Sequence, residues 1–277
     1  MEFERVKFQN IEFKMNNTLH NGLKILEFLA TNAEAISIKE IAEHFQLPNS
    51  HVCRLLKSLT ELGYAEQIPG SRKYRISLKI LNLANARLKK ENLLNVARPY
   101  LHQLAQKLDT AVFVTRVYCG YSLIIGAEYP AFFTESQDMV IGTLHSPTSS
   151  ACGKVCAAYS PEDIRQTLLN EIDWDSAGDY QGRREAFEEE LRQVRQRGCA
   201  LRDLPGDVGA VGVPLFESDG RLNGALGVML SPLRQRSAGL WQKIIEATAS
   251  CGKLISFAQG ASLEEYPNYN ISARRKK

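Results

Sequence analysis

The sequence predicts an α+β protein in two parts, with a winged helix-turn-helix at the N-terminus and, beyond a helical linker, a mixed α/β domain. Three observations carry this. Between Ile36 and Ser77 two short helical periods meet at a proline break and run into a two-stranded ribbon with a basic tip. The 277 residues are long for one domain and suit two, at roughly 100–200 residues each. The second half interleaves hairpin and helix signals without regular β-α-β alternation, which argues for an antiparallel sheet carrying helices rather than a doubly wound parallel one.

Residues 1–15 alternate weakly and are expected to form a loose arm. Asn16, Asn17 or Thr18 then caps a helix whose apolar set is Leu19, Leu23, Leu26, Phe28, Leu29 and Ala30. Ser37 followed by Glu40 is a capping box, so a second helix should run from there to about Phe45, burying Ile38, Ile41, Ala42 and Phe45. Pro48 disfavours helical geometry at Leu47 and breaks it. Asn49 or Ser50 caps a third helix to Leu62, with Val52, Leu55, Leu56, Leu59 and Leu62 buried and Gly63 as the left-handed stop. The period then changes to strand over 64–68, Pro69-Gly70-Ser71 turns, and 73–76 returns.

Helix, turn, helix, glycine stop and basic hairpin in that order point to double-stranded DNA as partner. A small helical bundle used for protein contact is the weaker alternative. The candidate contacts are Ser37, Asn49, Ser50, His51, Arg54 and Lys57 on the helices, with Arg72, Lys73 and Tyr74 on the wing. A helix fits the major groove, where its first turn meets base edges, and the wing reaches phosphate. The whole chain carries a net charge of only +3, but from Arg54 to Lys90 there are nine Lys or Arg against two Glu. Such a local patch is the electrostatic footprint of a DNA reader.

Residues 78–90 read as the linker helix and 1–77 as the DNA-binding domain before it. From 91 to 260 the second domain opens with a helix over 92–108, which Pro99 should kink or whose true start it marks. Strand-like runs at 111–118 and 122–129 flank Cys119-Gly120-Tyr121, and a loop over 132–141 leads to a third short strand. Residues 148–159 form a helix of small residues. Ser160-Pro161 starts another helix through Leu169, 170–182 are loop-like, and 183–197 is a charged surface helix ended by Gly198. Residues 208–230 read as two strands about Asp219-Gly220, 239–257 as a last amphipathic helix, and 261–277 as a polar basic tail.

With 44% hydrophobic and 23% charged residues the composition is that of an ordinary globular protein. MEFERVKFQN lacks the apolar core of a signal peptide, and no run approaches the roughly 20 apolar residues of a membrane span. A cytoplasmic chain without membrane contact is expected. Cys152 and Cys156 could share a helix face near His145, but three ligands at that spacing are a poor zinc set, and buried thiols are the expectation. Gly153-Lys154 resembles a phosphate loop only superficially, because Thr148 and Val155 stand where glycine and Ser/Thr are required. His145 and His102 lack a nucleophile elbow. The expectation is no catalysis, no metal and no cofactor.

Three further runs carry a family resemblance: Leu47-Pro48-Asn49-Ser50-His51-Val52-Cys53-Arg54-Leu55-Leu56 with Leu62-Gly63-Tyr64 and Tyr74-Arg75-Ile76; Ser150-Ala151-Cys152-Gly153-Lys154; and Arg197-Gly198-Cys199-Ala200 with Val213-Pro214-Leu215-Phe216 and Asp219-Gly220. In this order the chain resembles the IclR family of bacterial transcriptional regulators over nearly its whole length. The resemblance implies a GAF-like effector-binding second domain taking a carboxylic acid, sugar acid or aromatic compound. It also implies a linker that helps dimerise, a homodimer or homotetramer, and an inverted-repeat operator, with repression favoured over activation. The alternative is a second domain that only dimerises and binds no ligand. The effector candidates are Thr148, Ser150, Asp203, Asp207, Gly227 and Met229. Thr148 and Ser150 stand where a helix N-terminus favours an anion. Two departures from the family pattern matter: 202–207 is shortened and lacks the usual acidic run, and Gly227 and Met229 replace alternating serines that hold an effector carboxylate.

Overall fold

The computed structural model describes residues 16–130, 140–202, 209–230, 239–262 and 266–267. The N-terminal arm, most of the loop over 132–141 and the basic end of the tail therefore lie outside the described residues. The chain divides into two units, 1–90 and 91–277.

In the first unit, α1 (Asn17–Thr31) is capped by Asn16, whose Oδ1 accepts from the N–H groups of Thr18 and Leu19 at 3.1 Å each. Its buried residues are Ile25 and Leu29, not the broad set expected, and Leu19, Leu23 and Ala30 are exposed. The helix packs on α3 and β3 through one narrow face, on which positions 25 and 29 are neighbours one turn apart. The capping box of α2 (Ile38–Phe45) is complete: Ser37 N–H donates to Glu40 Oε2 at 2.8 Å, and Glu40 N–H to Ser37 Oγ at 3.3 Å. Gln46 closes the helix in the left-handed region at φ 53°.

The start of α3 (Asn49–Glu61) differs from expectation. Pro48 is the cap residue, extended at φ −61° and ψ 138°, and no side chain caps the helix. Asn49 and Ser50 are already helical, and the N–H groups of His51 and Val52 donate to the Pro48 carbonyl at 2.9 and 3.1 Å. Proline presets the turn into the helix, which leaves both polar side chains uncommitted. Leu62, expected inside, is exposed, and Gly63 supplies the left-handed stop at φ 78°. The ribbon of β2 (Ala65–Gln67) and β3 (Lys73–Ile76) gains a third strand, β1 (Ile36–Ser37), in the order β1-β3-β2. Two residues are too short to show a strand period in sequence. α4 (Lys79–Leu88) closes the unit with no buried residue.

In the second unit, α5 (Asn92–Leu108) contains Pro99 and begins seven residues before it, so the proline does not mark the start. An antiparallel six-stranded sheet follows in the order β6-β5-β4-β9-β8-β7. It comprises β4 (Val112–Tyr118), β5 (Tyr121–Glu128), β6 (Leu144–His145), β7 (Ala200–Arg202), β8 (Gly209–Phe216) and β9 (Leu222–Leu230). α5 and α9 (Leu240–Ala258) pack on one face; α6 (Ala151–Tyr159) packs on the other, with α7 (Glu162–Glu171) and α8 (Arg184–Arg197) outside it. Alternation along β8 shows the two faces: a Cβ on Gly252 of α9 would meet Val213, whereas one on Gly212 would meet the backbone of Ala151 in α6. This is a mixed α/β, GAF-like architecture.

β7 is missed by the sequence reading, since three residues after Gly198 carry too little pattern. Pro161, expected as the first helical residue of α7, is its extended N-cap. The tail is not polar throughout: Ala261 and Tyr266 are buried, and the Tyr266 hydroxyl donates to the Pro214 carbonyl at 2.6 Å.

Candidate DNA interface and effector cleft

α3 turns Val52, Leu55 and Leu56 into the first unit's core with Ile25, Leu29 and Ile41. Helical spacing therefore puts Ser50, Arg54 and Lys57 on the opposite side, and all three are exposed with Asn49. Lys57 pairs with Glu61 at 3.9 Å, an exposed pair of little energetic weight. His51 lies off this face and is half-buried. Its Nε2 is 3.4 Å from Asn21 Nδ2 on α1, and its Nδ1 is 3.4 Å from Arg54 Nη2.

On the wing, Gly70 at φ 74° turns the hairpin and leaves Arg72 and Lys73 exposed. Arg75 is tied to Glu66 at 2.6 Å across the strands. Tyr74 is half-buried against the core from the central strand, opposite Ile36 and Gln67. Ser37 is spent as the cap of α2, and its bonds hold the Glu40 carboxyl below the usual carboxylate range. The structure thus gathers Asn49, Ser50, Arg54 and Lys57 on one helix face and Arg72 and Lys73 at one hairpin tip. Tyr74 and Ser37 sit in structural positions instead. Asn21 escaped the sequence reading, since a lone asparagine on α1 gives no signal.

Of the effector candidates, Thr148, Ser150, Gly227 and Met229 fall on the α6 side of the second sheet. Register places Phe113, Gly227 and Gly212 in one row across β4, β9 and β8. The Phe113 ring lies over Gly227: a Cβ there would stand 2.2 Å from Phe113 Cζ. Beside this row Ala111, Ala210, Ala225 and Met229 belong to the same core cluster. Gly227 offers a ligand no side chain, and Met229, which carries a thioether, is buried.

Ser150 is the N-cap of α6. Its Oγ accepts from Gly153 N–H at 2.9 Å and donates to the Ser146 carbonyl at 3.2 Å. Thr148 is buried, 2.9 Å from the Ser146 hydroxyl. Both hydroxyls thus have partners within the chain. Asp203 and Asp207 lie outside the described residues.

The Gly-Lys pair is structural. A Cβ on Gly153 would stand 2.5 Å from the Ser146 carbonyl oxygen, so glycine allows the close approach. Lys154 is buried, with Nζ donating to the Leu201 carbonyl at 3.3 Å and lying 3.9 Å from Glu190 Oε1 and 5.1 Å from the Tyr180 ring centroid. Burial lowers its pKa, and the Glu190 carboxylate opposes that shift. Arg197 shares Glu190. Cys152 and Cys156 are buried thiols, and burial pushes Cys156 up to about 12.

A groove of about 200 Å³ lies elsewhere, among α6, α7 and α8, lined by Ala158, Arg165, Leu169, Leu191 and Arg195. Its arginines serve the protein: Arg195 donates to the Ala158 and Ser160 carbonyls at the end of α6, and Arg165 pairs with Glu162. None of the effector candidates among the described residues lines it.

A winged helix-turn-helix with a basic face, joined to a GAF-like domain, defines a DNA-binding transcriptional regulator. Residues 18–69 match the model of the IclR helix-turn-helix domain, and residues 85–257 match that of the bacterial transcriptional regulator IclR C-terminal domain. The chain belongs to the IclR family of transcriptional regulators and is not an enzyme. It is 24% identical to the DNA-binding transcriptional repressor YiaJ of Escherichia coli (strain K12), over 81% of each chain. An IclR transcriptional regulator of a Silicibacter species superposes with a TM-score of 0.73 at 22% identity, covering 91% of this chain and all of that one. An IclR homologue of Microbacterium hydrocarbonoxydans, complexed with 4-hydroxybenzoate, superposes at 0.69 with 18% identity, covering 88% of this chain and all of that one. Among the described residues no helix is long and apolar enough to cross a membrane.

Proposed function

We propose that the protein is a cytoplasmic, dimeric repressor that reads an inverted-repeat operator through residues 1–77 and changes its grip when residues 91–260 bind a small effector. The observation that carries the effector reading is the chemistry of the α6 side of the sheet. Ala111, Phe113, Ala210, Ala225 and Met229 present methyl groups, a phenyl ring and a thioether, and the hydroxyls of Thr148 and Ser150 are engaged internally. A ligand with an apolar body suits such a lining, which favours an aromatic compound over a sugar acid. The 4-hydroxybenzoate held by the Microbacterium homologue is of that kind. Dimerisation through the linker over 78–90 is supported by Leu78, Leu81 and Leu83, which stand 81%, 53% and 52% exposed in the single chain. Exposed leucines at the start of and along a linker helix carry a cost that a second copy removes.

A second reading, a domain that dimerises and binds nothing, draws on the tight fit of Phe113 over Gly227. Thermal unfolding of the full chain against a panel of aromatic compounds, aromatic acids and sugar acids separates the two. A ligand that binds only the folded state raises the midpoint and, on the proposed reading, also changes operator affinity. No shift across the panel would leave dimerisation as the domain's role.

A further inference from the structure

The geometry points to a positioning relay from Asn21 through His51 to Arg54, in which His51 aims the guanidinium that reads a base instead of touching DNA itself. The inference rests on Arg54 being a base contact. The observation is that His51 lies between two elements. Nε2 faces the Asn21 amide of α1 at 3.4 Å and Nδ1 faces Arg54 Nη2 at 3.4 Å, one turn further along α3.

Ring chemistry fixes the direction of the relay. A guanidinium only donates, so Nδ1 accepts and Nε2 carries the ring proton. Nε2–H then needs an acceptor, and the Asn21 amide supplies one when a half-turn presents its oxygen. The imidazole is held in one tautomer and one orientation, and its lone pair holds an arginine that is otherwise exposed and has many rotamers. Among the described residues Arg54 pairs with no carboxylate, unlike Lys57 with Glu61 and Arg75 with Glu66. A guanidinium set in advance loses less rotamer freedom when it meets a base. A side chain that acts through Arg54 should therefore affect discrimination at Arg54's base pair and nowhere else.

The test uses the full-length protein and an operator found by selection from a random DNA pool. Affinities are measured for each single-base variant of one half-site. Arg54→Ala should flatten discrimination at one base pair by roughly 10–100-fold. His51→Ala should flatten the same base pair by about 3–10-fold, the weight of one hydrogen bond, and leave the other positions unchanged. His51→Asn, whose Oδ1 stands near the Nδ1 position, should recover most of that loss. Asn21→Ala should move the same base pair in the same direction. A uniform loss across all positions, a loss at another base pair, or no change in His51→Ala would overturn the relay while leaving Arg54 as a contact. An unchanged profile in Arg54→Ala would remove both the contact and the relay. Thermal midpoints of the variants show whether folding has been altered.

Discussion

Replacing Gly227 by serine would add the hydroxyl that the family resemblance implies there, and the structure predicts that the protein will not tolerate it. A Cβ at Gly227 would lie 2.2, 2.4 and 2.7 Å from three atoms of the Phe113 ring, where ordinary contact begins near 3.4 Å. The ring would have to shift by about 1 Å, yet Phe113 is 6% exposed and packs in the α6-side cluster. Overpacking of this kind costs about 1–3 kcal/mol. Phe113→Ala alone should cost about 3–5 kcal/mol through the cavity it leaves. In the double variant the serine enters vacated space, so the combined cost should fall below the sum by about 1 kcal/mol or more. Urea unfolding followed by tryptophan fluorescence is the assay, because the two tryptophans, Trp174 and Trp241, both lie in the second unit. A Gly227→Ser variant as stable as the parent, or effects that simply add, would show that the ring turns aside freely and that the cleft is open.

Three other expectations follow from named contacts. Ser37→Ala should cost about 1 kcal/mol by removing the cap of α2. The depressed Glu40 carboxyl makes the reciprocal bond a contribution present above the ordinary glutamate range and lost as pH falls through the folded value; stability difference between parent and variant should shrink on acidification. Arg116 bridges Glu91 at 3.6 Å and Glu217 at 3.4 Å, and Glu91 is buried at the cap of α5. Arg116→Met should cost about 1–3 kcal/mol, below the range for a fully buried pair because the arginine is partly exposed, and chemical denaturation would measure it. Tyr266→Phe should cost about 1 kcal/mol by the same assay, since it deletes one buried bond to Pro214 and leaves the ring in place.

Where local pattern and turn chemistry decide an element, it is legible in the sequence. The capping box at Ser37 and Glu40, the third helix, and the pairs β2–β3, β4–β5 and β8–β9 with glycine in their turns all follow from periodicity and turn chemistry. α5 runs over the same residues as its apolar period. The readings fail where structure depends on distant partners. The true face of α1 is set by what α3 and β3 leave uncovered, and β1 and β7 exist because neighbouring strands accept them.

The same limit governs the sites. The exposed placement of Arg54, Arg72 and Lys73 is legible because a helix face and a hairpin tip are local objects. His51 points sideways because Asn21, thirty residues earlier, meets it there. Lys154 was visible as a motif, but its burial against Glu190 and Tyr180 is a tertiary fact. Gly227 read as a missing hydroxyl; the structure shows a glycine that makes room for Phe113, a partner on another strand.

The most direct test of sequence-specific DNA reading is selection of bound DNA from a random pool by the full-length protein, followed by salt titration on the enriched site. The account predicts an inverted repeat whose affinity falls steeply with salt, as neutralised phosphates release counterions. It also predicts that in Arg54→Ala the enrichment is lost at one base pair of each half-site and kept at the others. Binding that is equal for all sequences, or no binding across the salt range, would contradict it.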